Sequence, residues 1–176
     1  METIKTIIAQ GYSLLNMSHE KRPVVGDKWN VKTYAELKAT HDYTSTLWGI
    51  KLGRHENGRR LLVFDFDIYG VTHPETPCPI AKAFLEEYIA DVGEENADGL
   101  FWGSTVGNAG LLVDITDNEY MCEGIDILVN AGKGKGKIGD MEIFYGNKEL
   151  IGLPPSATVC KRAKKIVQKR KYLNDS

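Results

Sequence analysis

Cysteine is scarce in this chain, and histidine is confined to its first half. Only three of the 176 residues are cysteine, Cys78, Cys122 and Cys160. They lie far apart, form no Cys-x-x-Cys, and do not combine with His19, His41, His55 or His73 at zinc-ligand spacing. That pattern speaks against a structural zinc site and leaves the cysteines as core or surface thiols. No apolar run approaches the roughly 20 residues a membrane helix needs. The chain does not open on a charged-then-apolar signal pattern. A soluble, intracellular protein, cytoplasmic in location, is therefore expected. Repeats, low-complexity segments and linkers are also missing, and the net charge is close to zero at -2.

What is present fits one globular domain. A chain of this length buries roughly 70% of the surface its unfolded form exposes. Its 42% apolar and 26% charged residues place it away from disordered chains. The small net charge conceals an asymmetry. Residues 157–176 hold seven Lys or Arg and one Asp, leaving 15 basic against 23 acidic residues elsewhere. The basic end is read as a C-terminal helix or tail, set apart from a domain over residues 1–156. Either it contacts phosphate or it is a solvated terminal helix.

Periodicity predicts a helix over 3–16, with Ile4, Ile7, Ile8, Tyr12 and Leu15 on one face. A breaker-rich loop follows. Thr33 and Glu36 have capping-box spacing and predict a short helix. Residues 46–53 and 60–69 read as strands joined by a tight turn at Asn57-Gly58. Three prolines make residues 72–81 a loop. A helix then runs to Gly93. Residues 99–106, 110–116, 124–130 and 140–146 read as further strands, the last two joined by AGKGKGKIG. The segment KELIGLPPS finishes the sheet, and residues 159–173 have helical spacing. The expected class is α+β with a mostly antiparallel sheet flanked by helices.

The stretch LLVFDFD, residues 61–67, raises the central question. Residues two apart on a strand share a face. Phe64 and Phe66 should therefore pack into the core while Asp65 and Asp67 stand together on the other side. Aspartate is disfavoured in strands, and neighbouring carboxylates raise one another's proton affinity unless a cation intervenes. Mg²⁺ or Mn²⁺ suits hard oxygen ligands of this kind. Paired ions of this sort hold an attacking hydroxyl and a leaving phosphate in phosphoryl-transfer sites.

The surrounding segments add a resemblance. Gly11-Tyr12-Ser13, then Lys21-Arg22-Pro23 and Trp29, resemble the opening motif of the primase-polymerase domain of the archaeo-eukaryotic primase superfamily, in its archaeal plasmid and virus form. TLWGIKLG resembles that family's N-I-G-I-x-x-G strand, LLVFDFD its metal motif and GLPPS its closing V-x-P-P-S. The likeness covers about residues 5–156. It implies an RRM-like antiparallel sheet and a DNA primase or polymerase activity by two-metal nucleotidyl transfer. DNA template or primer and nucleoside triphosphates would be the partners, and a separate helicase could accompany it. Asp65 and Asp67 would hold Mg²⁺ or Mn²⁺. A third acid is expected on a later strand. Asp126, between β-branched residues in GIDIL, is the first choice, and Glu142 in MEIFYG is the alternative.

One departure stands out. Where the family has Ser-or-Gly-x-His, this chain has STVGNAGLLVD, with no histidine. Either Ser104, Thr105 or Asn108, with nearby backbone N–H groups, serves the phosphates, or catalytic competence is reduced or lost. Lys51 and Arg54 are further candidates for the nucleotide. Arg22, Lys28, Lys133, Lys135 and Lys137 are candidates for nucleic acid. Two alternatives compete. One is a non-catalytic nucleic-acid-binding replication protein with a degenerate primase core. The other is a haloacid-dehalogenase-like phosphatase, whose motif LLVFDFDIYGV imitates without the glycine after its second Asp.

Overall fold

A computed structural model describes residues 2–20, 22–67, 79–93, 100–103, 108–139, 141–153, 157–160 and 166–172. For residues 2, 3, 67, 81, 92, 100–103, 108, 157–160 and 166–172 it describes the backbone alone. The chain begins with a helix, Glu2–Ala9 (α1), which ends seven residues earlier than its periodicity suggests. Gly11 turns the backbone to φ +85, and the Asn57 amide donates to the Gln10 carbonyl at 2.7 Å. A Cβ on residue 11 would sit 2.8 Å from that amide nitrogen, so glycine is required there. The freed chain forms a strand, Leu14–Asn16 (β1), antiparallel to Trp48–Lys51 (β2), which pairs in turn with Leu150–Leu153 (β9). Between them lie a 3-10 turn, Trp29–Val31, and a short helix, Tyr34–Lys38 (α2). The expected capping box is formed: Glu36 N–H donates to Thr33 Oγ1, and Thr33 N–H donates to the Glu36 carboxylate.

A second sheet carries the rest of the chain. Gly53–Arg54 (β3) turns through Asn57-Gly58 into Arg60–Asp67 (β4). A helix, Pro79–Val92 (α3), stops at Gly93 with φ +80. Strands Leu100–Gly103 (β5) and Asn108–Asp114 (β6) pair antiparallel. A helix, Glu119–Asn130 (α4), follows, then Lys135–Ile138 (β7) and Met141–Phe144 (β8). The last strands are Ala157–Cys160 (β10) and Ile166–Tyr172 (β11). The order is β10-β11-β5-β6-β4-β8-β7, with β3 also on β4, and every pairing is antiparallel.

Three expectations are corrected here. GIDILVN is the second half of α4, not a strand. Its apolar residues Cys122, Ile125, Leu128 and Val129 recur at helical spacing and pack on Leu62, Ile115 and Tyr145. The Asn118 side chain caps the helix by accepting from Met121 N–H at 3.0 Å. The glycine-spaced lysines contain β7 rather than a loose connection. The basic C-terminal segment forms β10 and β11 rather than a helix, because β5 offers it a free edge to pair with.

The two faces of β4 are treated differently. Leu62, Phe64 and Phe66 face α3 and α4, together with Leu111, Val113, Met141 and Ile143. Leu61 and Val63 face the other way, into a core built from Ile4 and Ile8 of α1 and from Leu14, Trp48, Ile50 and Leu153 of the three-stranded sheet. The far side of that small sheet is closed by Leu15, Trp29 and Leu37. Trp29 and Trp48 are thus core residues. No helix among the described residues is long and apolar enough to cross a membrane.

Two polar contacts lock the layers and generate predictions. Arg60, almost enclosed beneath α4, donates to both oxygens of Asp126 at 2.6 and 2.7 Å. Asp126→Asn should weaken the fold by about 1 kcal/mol, read as a lower urea midpoint at unchanged slope. Buried His55 accepts from Ser13 N–H at Nδ1, 2.9 Å away, so the ring is neutral. Burial first, and then the charge of Lys51, push its pKa down to about 4. The unfolded ring, near 6.5, takes up its proton earlier, so stability falls as pH drops through 6.5 toward 4. Between pH 7 and 5 the loss should be about 2 kcal/mol. His55→Asn should remove most of that slope in urea titrations at the two pH values. His41, whose pKa burial also lowers, accounts for a remainder.

Candidate functional site

The side of β4 that carries Leu61 and Val63 changes character along its length. Its cross-strand neighbours are first Leu112 and Phe144, packed against the α1 core. One step further, Asp65 pairs in register with Glu142 on β8 and with Gly110 on β6. A further step places Asp67 opposite Asn108. Directly opposed residues share a face, with Cβ atoms about 5 Å apart. Asp65 and Glu142, both half-buried, are therefore neighbours, and alternation puts residue 67 on the same side of the pleat. Glycine at 110 leaves the position beside Asp65 without a side chain.

Register extends the row in both directions. On one flank Lys137 pairs with Glu142 and Lys135 with Phe144; the Lys135 ammonium lies 5.6 Å from the Phe144 ring centre. On the other, Phe101 pairs with Gly110 and Tyr172 with Phe101, while Gly103 pairs with Asn108 and Arg170 with Gly103. Acidic positions thus occupy the middle of the face, with basic positions on strands to either side. Glu149 belongs to the same neighbourhood. Burial raises its pKa above the usual carboxylate range; the charge of Lys135 opposes this, and that of Glu142 adds to it. Nothing in the sequence singles out Glu149, because its position depends on the return of the chain from β8 to the small sheet.

The sequence candidates separate into three groups. Asp65, Asp67, Asn108 and Glu142 share one patch of register, with Lys135 and Lys137 beside it. Asp126 does not join them. It lies on α4, on the opposite side of the sheet, and its carboxylate is held by Arg60. It was expected on a strand because Ile125, Ile127, Leu128 and Val129 favour strands locally, and burial of a helical face overrides that preference. Ser104 and Thr105 lie outside the described residues, as does Lys21.

The remaining basic candidates are placed elsewhere. Lys51 points with Trp29–Val31 to the far side of the three-stranded sheet, where its ammonium donates to the Asn30 carbonyl at 3.3 Å. Burial lowers its pKa. Arg22, ion-paired with Glu20 at 3.8 Å, and exposed Lys28 belong to that same loop. Arg54 lines a pocket of about 190 Å³ with Arg60, Asp126, Asn130 and Asn147, beneath α4. None of these four adjoins Asp65 in the strand register.

The donor set beside Asp65 suits a hard divalent cation. Two carboxylates sit on adjacent strands, and no salt bridge among the described residues neutralises Glu142. No group of three or more His, Cys, Asp or Glu among the described residues is arranged to hold a metal. The side chain of Asp67 is not among those described. Comparison of this chain with protein-family models, with curated proteins and with solved structures gave no match.

Proposed function

We propose that the protein is a template-dependent nucleotidyltransferase of primase-polymerase type, extending or starting a DNA strand. The observation that carries this reading is the register Asp67–Asp65–Glu142 on one sheet face, with the helices on the other. The chain path supports it. The segments β4-α3-β5-β6-α4-β8 give the strand order β5-β6-β4-β8 with both helices on one side, the order that a split βαβ, RRM-like sheet would have. The antiparallel neighbours of β4 disfavour the phosphatase reading, since that fold is built on a parallel sheet.

In this reading Glu142 replaces Asp126 as the third acid. Mg²⁺ or Mn²⁺ held by Asp65, Asp67 and Glu142 would neutralise the triphosphate and raise the acidity of the attacking hydroxyl. The protein's own contribution is position. Phe66, Val63 and Leu62 are fully buried, and strands on both sides fix β4, so its acidic residues are presented from a rigid element. Asn108, opposite Asp67 in the register, comes from the family's histidine region, and it would donate to a phosphate oxygen. The absence of histidine from residues 104–114 favours the second reading, a replication protein that holds DNA without extending it.

One assay separates the readings. The protein is incubated with Mn²⁺, a primed template and labelled deoxynucleotides. Extension is expected, and Asp65→Asn or Glu142→Gln should lower its rate at least about a hundredfold with unchanged thermal unfolding. Asp126→Asn should extend at close to the parent rate. Normal extension by both the Asp65 and Glu142 variants would overturn the assignment. DNA retention without any product would favour the binder.

A further inference from the structure

Strand β7 is the outer edge of the eight-stranded sheet, and the segment that leads into it and along it alternates lysine with glycine: Lys133, Gly134, Lys135, Gly136, Lys137. Lys135 and Lys137 stand on the face of Asp65 and Glu142, by register through Phe144 and Glu142. Lys133 precedes them by the same interval, where the chain leaves α4 through Gly132 at φ +79. All three are exposed, and among the described residues none forms a salt bridge. Like charges repeated every second residue, about 7 Å apart along an extended chain, repel one another. Edge protection against sheet-to-sheet pairing explains a lysine on such a strand. It does not call for Lys135 and Lys137 to share a face beside acids without closing an ion pair to them among the described residues.

The strand is also held firmly. Tyr145 and Gly146 N–H both donate to the Gly134 carbonyl, at 2.9 and 2.8 Å. A Cβ on residue 146 would come within 2.5 Å of the Gly134 Cα, so two glycines permit this crossing. The cations therefore sit on a fixed ledge rather than on a loose tip.

We propose that β7 is the rail for the sugar–phosphate backbone of a single-stranded polynucleotide, with Lys133, Lys135 and Lys137 each meeting a phosphate. Such a strand carries one charge per nucleotide, a periodic anion for a periodic row of cations. It would pass Asp65 two strands away, about 10 Å. Contacts of this kind ignore base identity. A flat anionic bilayer fits less well, because pressing on the whole face would bring it against Glu142 and Asp65. The identification of the strand as template or primer rests on the nucleotidyl-transfer reading; binding itself does not.

The test is fluorescence anisotropy of the full chain with a labelled oligothymidylate and an oligouridylate of equal length, without metal, over a series of NaCl concentrations. The variant Lys133→Gln/Lys135→Gln/Lys137→Gln should flatten the plot of log affinity against log salt by about 2, from roughly 0.7 per phosphate contact. Flattening is expected with both oligonucleotides; with the uridylate alone it would assign the rail to RNA. The triple Lys→Arg variant should keep the parent slope, and both variants should elute from gel filtration where the parent does. An unchanged slope overturns the proposal. So does self-association of the Gln variant with unaltered binding, which would leave edge protection as the role. Binding of the parent to phosphatidylserine vesicles but to neither oligonucleotide overturns it as well. The outcome is separable from the chemistry. Parent protein that binds with the expected slope yet makes no product sinks nucleotidyl transfer and keeps the rail. Product formation with a slope indifferent to the lysines does the reverse.

Discussion

Strand β4 is paired along both edges, to β6 from Leu61 to Asp67 and to β8 from Val63 to Phe66. A strand held in this way has a single register, because a slip of one residue would exchange every inward side chain for an outward one. Such a slip would drive Asp65 and Asp67 into the helix-covered core and expel Phe64 and Phe66, of which Phe66 is fully buried. Burying an unpaired carboxylate costs several kcal/mol, as does exposing a buried phenylalanine. The pairing that stabilises the domain is therefore the same pairing that brings Asp65 to Glu142.

The acidic patch lies at a boundary. On its own face, Leu61 and Val63 are covered by α1 and the three-stranded sheet, and the acids begin where that cover ends. The contacts that seat the cover are polar at its rim. Tyr12 OH and Arg59 both donate to Asp114, at 2.9 and 2.7 Å, and Thr116 adds its N–H and its hydroxyl. This cluster closes the end of β6 opposite to Asn108. One end of the strand pair thus anchors the N-terminal layer while the other presents the acids, and a single eight-residue strand serves both.

Much of this was legible in the sequence because the signals are local. The capping box at Thr33 and Glu36, the turn at Asn57-Gly58, the stop at Gly93 and the alternation of LLVFDFD each depend on residues within a few positions of one another. The failures share a cause as well. Residues 124–130 are rich in β-branched side chains, and only the packing of Cys122, Ile125 and Val129 on β4 and β6 makes them helical. Residues 166–172 carry helix-forming lysines, yet β5, more than sixty residues away, supplies a strand to pair with. Leu15 was assigned to α1 because its spacing fits, while Gly11 and the distant Asn57 end that helix early. The expectation that Asp126 lies on a strand failed for the same reason: local flanks favoured it, and only the register between β4 and β8 sets Glu142 opposite Asp65.

The position of charge on the sheet follows from this topology rather than from composition. A near-neutral chain would present no clear field if its charges were scattered. Here β7 carries lysines at one edge and β11 brings basic positions toward the other, while the acids lie between them on β4 and β8, each paired on both sides. Lys137 stands opposite Glu142, yet among the described residues the two form no salt bridge. A face with separated belts of opposite sign gains most from a ligand that is itself divided, with cations at its reactive end and a polyanion alongside. A metal-bound triphosphate meeting a nucleic-acid strand has that distribution, and a lone small anion does not.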